Sequence, residues 1–322
     1  MRYVLPLPLL PFRRLLGRGL CAALLAGLLL SPATPLEARG ASAQPAPPAR
    51  VSDPVLGQKL FDDCIRWVSA NSQSGIQTVE DFYVKLDAEL DLDTARHKGP
   101  MRVWWKTNDN FRWELTGIST KILQVNRQTN PPRPRMWIIQ RGQVKRMHGT
   151  PDGAKAIPQL QEDASRLGDL AQFITLRELK GAGVTFTYEG PTDGTANTIY
   201  AGKWLKVVRR VQGAGNITFY LAYTRDQAGN LSASWPGIIR VDGVAGRYPT
   251  EDYILRDWTN SPAGQPRSFR FPKQIAAYSF MPGSGKAPVR FLRATVQDIK
   301  INAGIDATRF QPPARVVRQP GR

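Results

Sequence analysis

Imidazole and thiol chemistry has little to work with in this chain, which holds two histidines and two cysteines in 322 residues. His97 and His148 each stand alone in a basic stretch, ARHKG and KRMHG. Neither has a His, Cys or carboxylate at ligand spacing, so no zinc site is indicated and both read as solvent-facing. There is no GxSxG elbow, phosphate-cradling P-loop or dinucleotide fingerprint. Asp87, Glu89, Asp91 and Asp93 alternate along what reads as a strand, and such a row could gather calcium only if a loop wrapped the ion. A solvated strand face is the plainer account. Glu178, Glu189 and Glu251 are available as acid and base, but no spacing pairs them. The chain is therefore expected to be no enzyme and to use no cofactor or metal.

The basic counterpart is KWLKVVRRV, with Lys203, Lys206, Arg209 and Arg210 around Trp204. Lys203, Lys206 and Arg210 are candidates for holding a phosphate-bearing head group. An exposed strand face explains the same residues, because isolated surface charges seldom bind anything specific.

The elements that would position these residues follow from periodicity. Ser52 or Asp53 can cap a helix with Pro54 at its first position, and Leu56, Leu60, Phe61, Cys64, Trp67 and Val68 give it one apolar face. Phe82, Val84, Leu86, Ala88 and Leu90 then alternate with polar neighbours, as a half-buried strand does. Alternations at Met101–Trp105 and Phe111–Leu115 flank the polar residues 107–110 and make a hairpin. Strands follow at 122–126, 136–140 and 144–147, with Arg141 and Gly142 turning the last pair. Helical spacing returns from Ile157 to Leu176 through Leu160, Ala164, Leu167, Leu170, Ala171 and Ile174. Seven more strands are expected at 184–188, 204–211, 217–223, 238–241, 253–258, 275–280 and 289–301. Many strands and two long helices predict an α+β fold, a large curved antiparallel sheet wrapped as an incomplete barrel over two main helices. The aromatics Trp105, Phe111, Trp113, Trp137, Phe186 and Phe219 lie on its strands. They could line a cavity for an apolar ligand. Filling the core is the commoner fate of such side chains.

Arg2, Arg13, Arg14 and Arg18 precede the apolar run Leu20–Leu30, and the small-residue triplet Ala41, Ser42, Ala43 follows. That order is an export leader over residues 1–43, and the apolar run is too short to span a bilayer. QPAPPAR, residues 44–50, reads as a linker, residues 51–314 as one domain and 315–322 as a basic tail. The expected location is the periplasm or the exterior. The mature chain keeps only Cys64, so no internal disulfide is available and the core must hold the fold. The formal net charge is +18, of which the leader's five arginines and one glutamate supply four, leaving +14. That balance favours anionic partners, such as an anionic membrane surface, over nucleic acid, which is scarce outside the cytoplasm.

An exported helix, a long strand and then VWWKTNDNFRWEL resemble the start of the outer-membrane lipoprotein carrier (LolA/LolB-like) superfamily. Trp104, Lys106, Phe111 and Trp113 fit its pattern of an aromatic and a lysine, a polar turn, then an aromatic, a spacer and a tryptophan. MWIIQRGQVKRM is similar to its next hairpin, and DIKINAGIDATRFQPPA to its closing strand and final phenylalanine. The resemblance implies an incomplete antiparallel barrel closed by helices, an acyl-chain cavity with Phe111 beside it, and a non-enzymatic carrier or sensor role in the periplasm; the expected partner is lipid or acylated protein, and the expected state is a monomer. The family's arginine after the strand lysine is absent, since Thr107 follows Lys106, which favours a relative that binds some other lipid or glycolipid. The competing expectation is an envelope module that meets an acidic partner through its basic surface, with a filled core.

Overall fold

The computed structural model describes residues 52–70, 79–92, 95–106, 110–126, 129, 133–176, 179–193, 202–211, 215–243, 249–261 and 269–313. The expected leader, linker and basic tail lie outside these residues, as do Asp93, Thr107 and Glu178. Helix α1 (Pro54–Val68) comes first, followed by β1 (Asp81–Leu92), β2 (Ala95–Lys106), β3 (Asn110–Leu115), β4 (Ser119–Asn126), β5 (Arg133–Gln140) and β6 (Gln143–Arg146). Helix α2 (Pro151–Thr175) leads to β7 (Val184–Thr192), β8 (Trp204–Val211), β9 (Ile217–Arg225), β10 (Leu231–Val241), β11 (Thr250–Asn260), β12 (Arg270–Phe280) and β13 (Val289–Ile301). A 3-10 turn at Ala307–Phe310 closes the described chain.

The strands form one antiparallel sheet in the order β6-β5-β4-β3-β2-β1-β13-β12-β11-β10-β9-β8-β7. It is a meander in two wings joined where β1 meets β13, paired from Phe82 opposite Ile301 to Leu90 opposite Leu292 with one register shift between Lys85 and Leu86. The sheet is open, with β6 and β7 at its edges. This is the incomplete barrel over two helices that the alternation and the resemblance imply. Asp81 fastens the joint: its carboxylate accepts from the N–H groups of Ala303 (2.8 Å), Gly304 (3.0 Å) and Ile305 (3.1 Å) just beyond β13. The β5–β6 turn has positive φ at both Arg141 and Gly142, the backbone of a tight two-residue hairpin.

Helix α1 starts as its sequence dictates, with the Asp53 carboxylate accepting from Leu56 N–H at 2.8 Å and Pro54 in the first turn. Its face of Leu60, Phe61, Cys64, Ile65 and Val68 is buried. It packs on β7, β8 and β10, so closely that a Cβ on Gly57 would stand 2.5 Å from the Phe186 carbonyl oxygen and the Tyr188 nitrogen. Asp53 and Tyr188 exchange two backbone hydrogen bonds beside that contact, at 3.0 and 2.9 Å.

Helix α2 touches β5 and β12, six places apart in the strand order. Laid flat, those strands would be about 29 Å apart, and a helix of 25 residues is about 37 Å long. Buried side chains of both wings and of α2 join in one cluster, so the sheet curves and α2 lies across its trough. Its start, Pro151, comes before the expected Ile157: Thr150 accepts from Gly153 N–H at 3.1 Å, which fixes the first turn, and Pro158 sits inside. Strand β10 also starts earlier than the expected Ile238, at Leu231. The register shifts on either side of Pro236 carry that proline. Gly237 follows because the Trp204 ring lies against it, 2.2 Å from where a Cβ would be.

Candidate functional site

Alternation assigns each strand residue to the trough or to the outer face of the sheet. Phe82, Val84, Leu86, Ala88 and Leu90 of β1 turn inward, and pairing carries the same face to Met101, Val103 and Trp105 of β2 and to Phe111, Trp113 and Leu115 of β3. On the far wing the trough receives Phe186, Val207, Phe219, Leu221, Ile239, Tyr253, Leu255 and Leu292. Helix α2 closes it with Ile157, Leu160, Leu167, Leu170, Phe173 and Ile174, all buried.

Four of the six aromatic candidates lie deep in this core. Trp113 and Phe219 are fully buried, Phe111 and Phe186 nearly so. Phe61 of α1 stacks on Phe186 at 3.9 Å and meets Phe219 at 5.0 Å, so these rings pack α1 onto the sheet. Trp105 is half-buried on the inner face against the core. Trp137 is not on that face. It stands opposite Ile122 on the outside, edge-on to the His148 ring at 5.0 Å.

The head-group candidates also lie outside. Lys206 and Arg210 both bind Glu189 of β7, at 2.8 and 2.5 Å. Burial works to raise the Glu189 carboxyl, but hydrogen bonds from Lys206 and Arg210 hold it below the usual carboxylate range. Lys203 is exposed just before β8. Arg209, between them, turns inward and donates from Nε to the Leu179 carbonyl at 2.7 Å.

Several polar side chains inside the trough were not indicated by spacing. Lys121 of β4 is 7% exposed, on the inner face opposite Ile138, with Nζ 5.0 Å from the centre of the Trp113 ring. Burial lowers its pKa, and the charge of Asp163 on α2 pushes it back up. Asp163 is itself 1% exposed. A signal for it was available, since Asp163 falls three residues after Leu160 and four before Leu167, within the apolar stripe of α2. Glu251 is buried on β11 and accepts from the Tyr253 hydroxyl at 2.8 Å. His97 corrects an expectation: it is buried rather than solvent-facing, because its place opposite Leu90 puts it on the apolar side of β2. One ring nitrogen, Nε2, lies 3.0 Å from the Pro100 carbonyl.

The acidic row on β1 lies on the outer face, where Glu89 pairs with Arg290 and Asp91 with Arg96, both at 2.9 Å. Among the described residues no three His, Cys, Asp or Glu side chains gather as a metal site would, and no helix is long and apolar enough to cross a membrane. An open cleft of about 710 Å³ lies at the end of the β5–β6 hairpin away from its turn, lined by Thr129, Arg133, Pro134, Arg135, Arg146, His148 and Gly149.

No family model matches the chain, and no curated protein does. Among solved structures, an outer membrane lipoprotein-sorting protein domain from Vibrio parahaemolyticus superposes with a TM-score of 0.37 at 10% identity, over 79% of this chain and 97% of that one. A DUF1329 family protein from Desulfovibrio piger gives 0.39 at 9% identity, over 80% and 98%. Superpositions that loose describe a shared kind of open sheet at most, and neither name transfers to this chain.

Proposed function

We propose that the chain is a non-enzymatic periplasmic carrier that takes the acyl chain of a lipid or an acylated protein into the trough beneath α2. The observation that carries this reading is the cover of the trough. It is a separate helix, placed in the chain between the edge strands β6 and β7, with a proline inside and a carboxylate on its buried face. An interior proline costs a helix about 3 kcal/mol, and burying even a paired charge carries a desolvation penalty of several kcal/mol. Such a cover leaves without unpairing any strand.

The magnitudes suit reversible exchange. Six large apolar side chains of α2 in the trough are worth about 2 kcal/mol each, roughly 12 in all. An acyl chain of about fifteen methylenes gains roughly 12 kcal/mol at about 0.8 kcal/mol each. Cover and cargo are near balance, as a carrier that must also release requires. Uptake of a fluorescent fatty acid by the purified protein tests this: saturable uptake at one per chain, displaced by phospholipid, is expected, and no uptake would end the carrier reading.

One observation favours a second reading, an envelope module that binds an acidic partner. The buried rings of Phe61, Phe186 and Phe219 pack on one another and Trp113 is fully enclosed, so these side chains serve as core. On that reading binding resides on the basic outer surface and weakens with salt.

A further inference from the structure

The outer face of the β5–β6 hairpin carries a cluster of cations that the carrier reading does not use. Arg133 and Arg135 are two residues apart on β5 and so share a face, with the guanidinium stems about 7 Å apart along the strand. Arg146 of β6 stands in register opposite Trp137, the next residue on that face. All three arginines are exposed, and among the described residues none pairs with a carboxylate. That sets them apart from Lys206, Arg210, Arg240 and Arg290, each held by an acidic partner. The nearby Asp152 pairs with Lys145 instead.

His148 completes the cluster, and its placement is built rather than incidental. Its Nδ1 lies 3.1 Å from the Met136 carbonyl and 3.3 Å from the Met136 nitrogen, while Trp137 meets the ring edge-on at 5.0 Å. With Nδ1 engaged by backbone, Nε2 remains as the ring's outward-binding atom. Thr150, two residues on, caps α2, so the positive end of that helix dipole lies beside the cleft. Planar guanidinium groups match the oxygens of a phosphate two at a time, which an ammonium cannot do. The cleft, about 710 Å³, has room for a phosphate with its ester group.

We propose that the open end of the β5–β6 hairpin is a phosphate-binding site, in which Arg133, Arg135, Arg146 and His148 take a phosphate mono- or diester. The site lies on the opposite face of the sheet from the trough and does not depend on acyl binding.

The test uses the exported protein and two probes: inorganic pyrophosphate by calorimetry, and flotation with phosphatidylcholine vesicles, one third of whose lipid is phosphatidylglycerol. The variant R133Q/R135Q/R146Q removes three exposed side chains. A control, K98Q/R225Q/K286Q, removes the same charge from exposed positions elsewhere. Thermal unfolding checks that both are folded, and fatty-acid uptake is expected to be unchanged in both. The site variant is expected to lose affinity by about tenfold per arginine and the control by about twofold or less. Pyrophosphate binding means that a soluble phosphate group suffices, whereas binding to vesicles alone assigns the site to a lipid headgroup. Equal losses in both variants would make the effect one of net charge and overturn the proposal. Wild-type protein that binds neither probe, or a site variant that binds as wild type does, would overturn it too.

Discussion

Replacing Asp163 and Lys121, singly and together, separates the two roles that α2 could have, fixed core helix or removable cover. Both side chains are nearly fully buried and they act on each other across the trough. Asp163→Leu leaves the Lys121 ammonium enclosed beside the Trp113 ring without its counter-charge, and Lys121→Met leaves the carboxylate in the same position. Each single change should cost about 3–5 kcal/mol. The double variant removes both desolvation penalties and keeps an apolar chain over Trp113, so it should match wild type or exceed it by about 1–4 kcal/mol. Urea unfolding gives the numbers, through midpoints at unchanged slope.

A pH series adds a second readout. The Lys121 pKa is lowered in the fold, so between the folded value and the unfolded value near 10.4 the unfolded chain binds more protons and stability rises with pH. The advantage of the double variant should therefore narrow as pH rises through that window. A firmer cover should also slow fatty-acid uptake. Single losses that simply add in the double variant would refute the coupling, and faster uptake by the stabilised double variant would refute α2 as cover.

Gly57→Ala should destabilise although alanine favours a helix by about 1 kcal/mol. The added methyl group meets backbone atoms of β7 at 2.5 Å, and overpacking of about 1–3 kcal/mol outweighs the gain; a midpoint equal to wild type would contradict the α1–β7 packing. Burial raises the Cys64 thiol well above its usual range, with the Asp63 charge adding to it, so a thiol reagent should label it only in denaturant, and rapid native labelling would show α1 undocked. Glu189→Gln should cost about 1 kcal/mol near neutrality. The Glu189 pKa is depressed in the fold, so its contribution is present above the unfolded value near 4.3 and disappears as pH falls through the lower folded value; a deficit that persists in acid would contradict the ion pairs with Lys206 and Arg210.

The architecture was legible where one physical signal dominated. Strict alternation from Phe82 to Asp91 fixed which side of β1 faces the core, and pairing carries that choice across the sheet. The signal weakened where two demands met in one segment. The first turns of α2 contain Gly153 and Pro158, which blur helical spacing, although Thr150 and Pro151 mark the true start. Leu231–Gly237 were missed as strand because Pro236 sits among bulges, and Gly237 is dictated by the Trp204 ring. Facing was harder than existence. KWLKVVRRV shows a cluster of cations, but only the sheet reveals that Lys206 and Arg210 share Glu189 while Arg209 turns inward. Trp137 resembled the other strand aromatics, yet its position in β5 puts it outside with His148. The arginines of β5 and β6 carry no motif of their own. What distinguishes them is that, among the described residues, none of them pairs with a carboxylate, a property of three dimensions.

Native mass spectrometry of residues 44–322, followed by organic extraction, tests the carrier reading most directly. The trough beneath α2 predicts one acyl-bearing molecule per chain that is released on extraction, with the same mass shift restored when phospholipid is added back. A charged replacement at Trp113 or Phe111 is unsuited to the test, since both are core side chains. A clean apo mass that no fatty acid or phospholipid alters would contradict the carrier and leave the basic outer surface as the place where this chain binds.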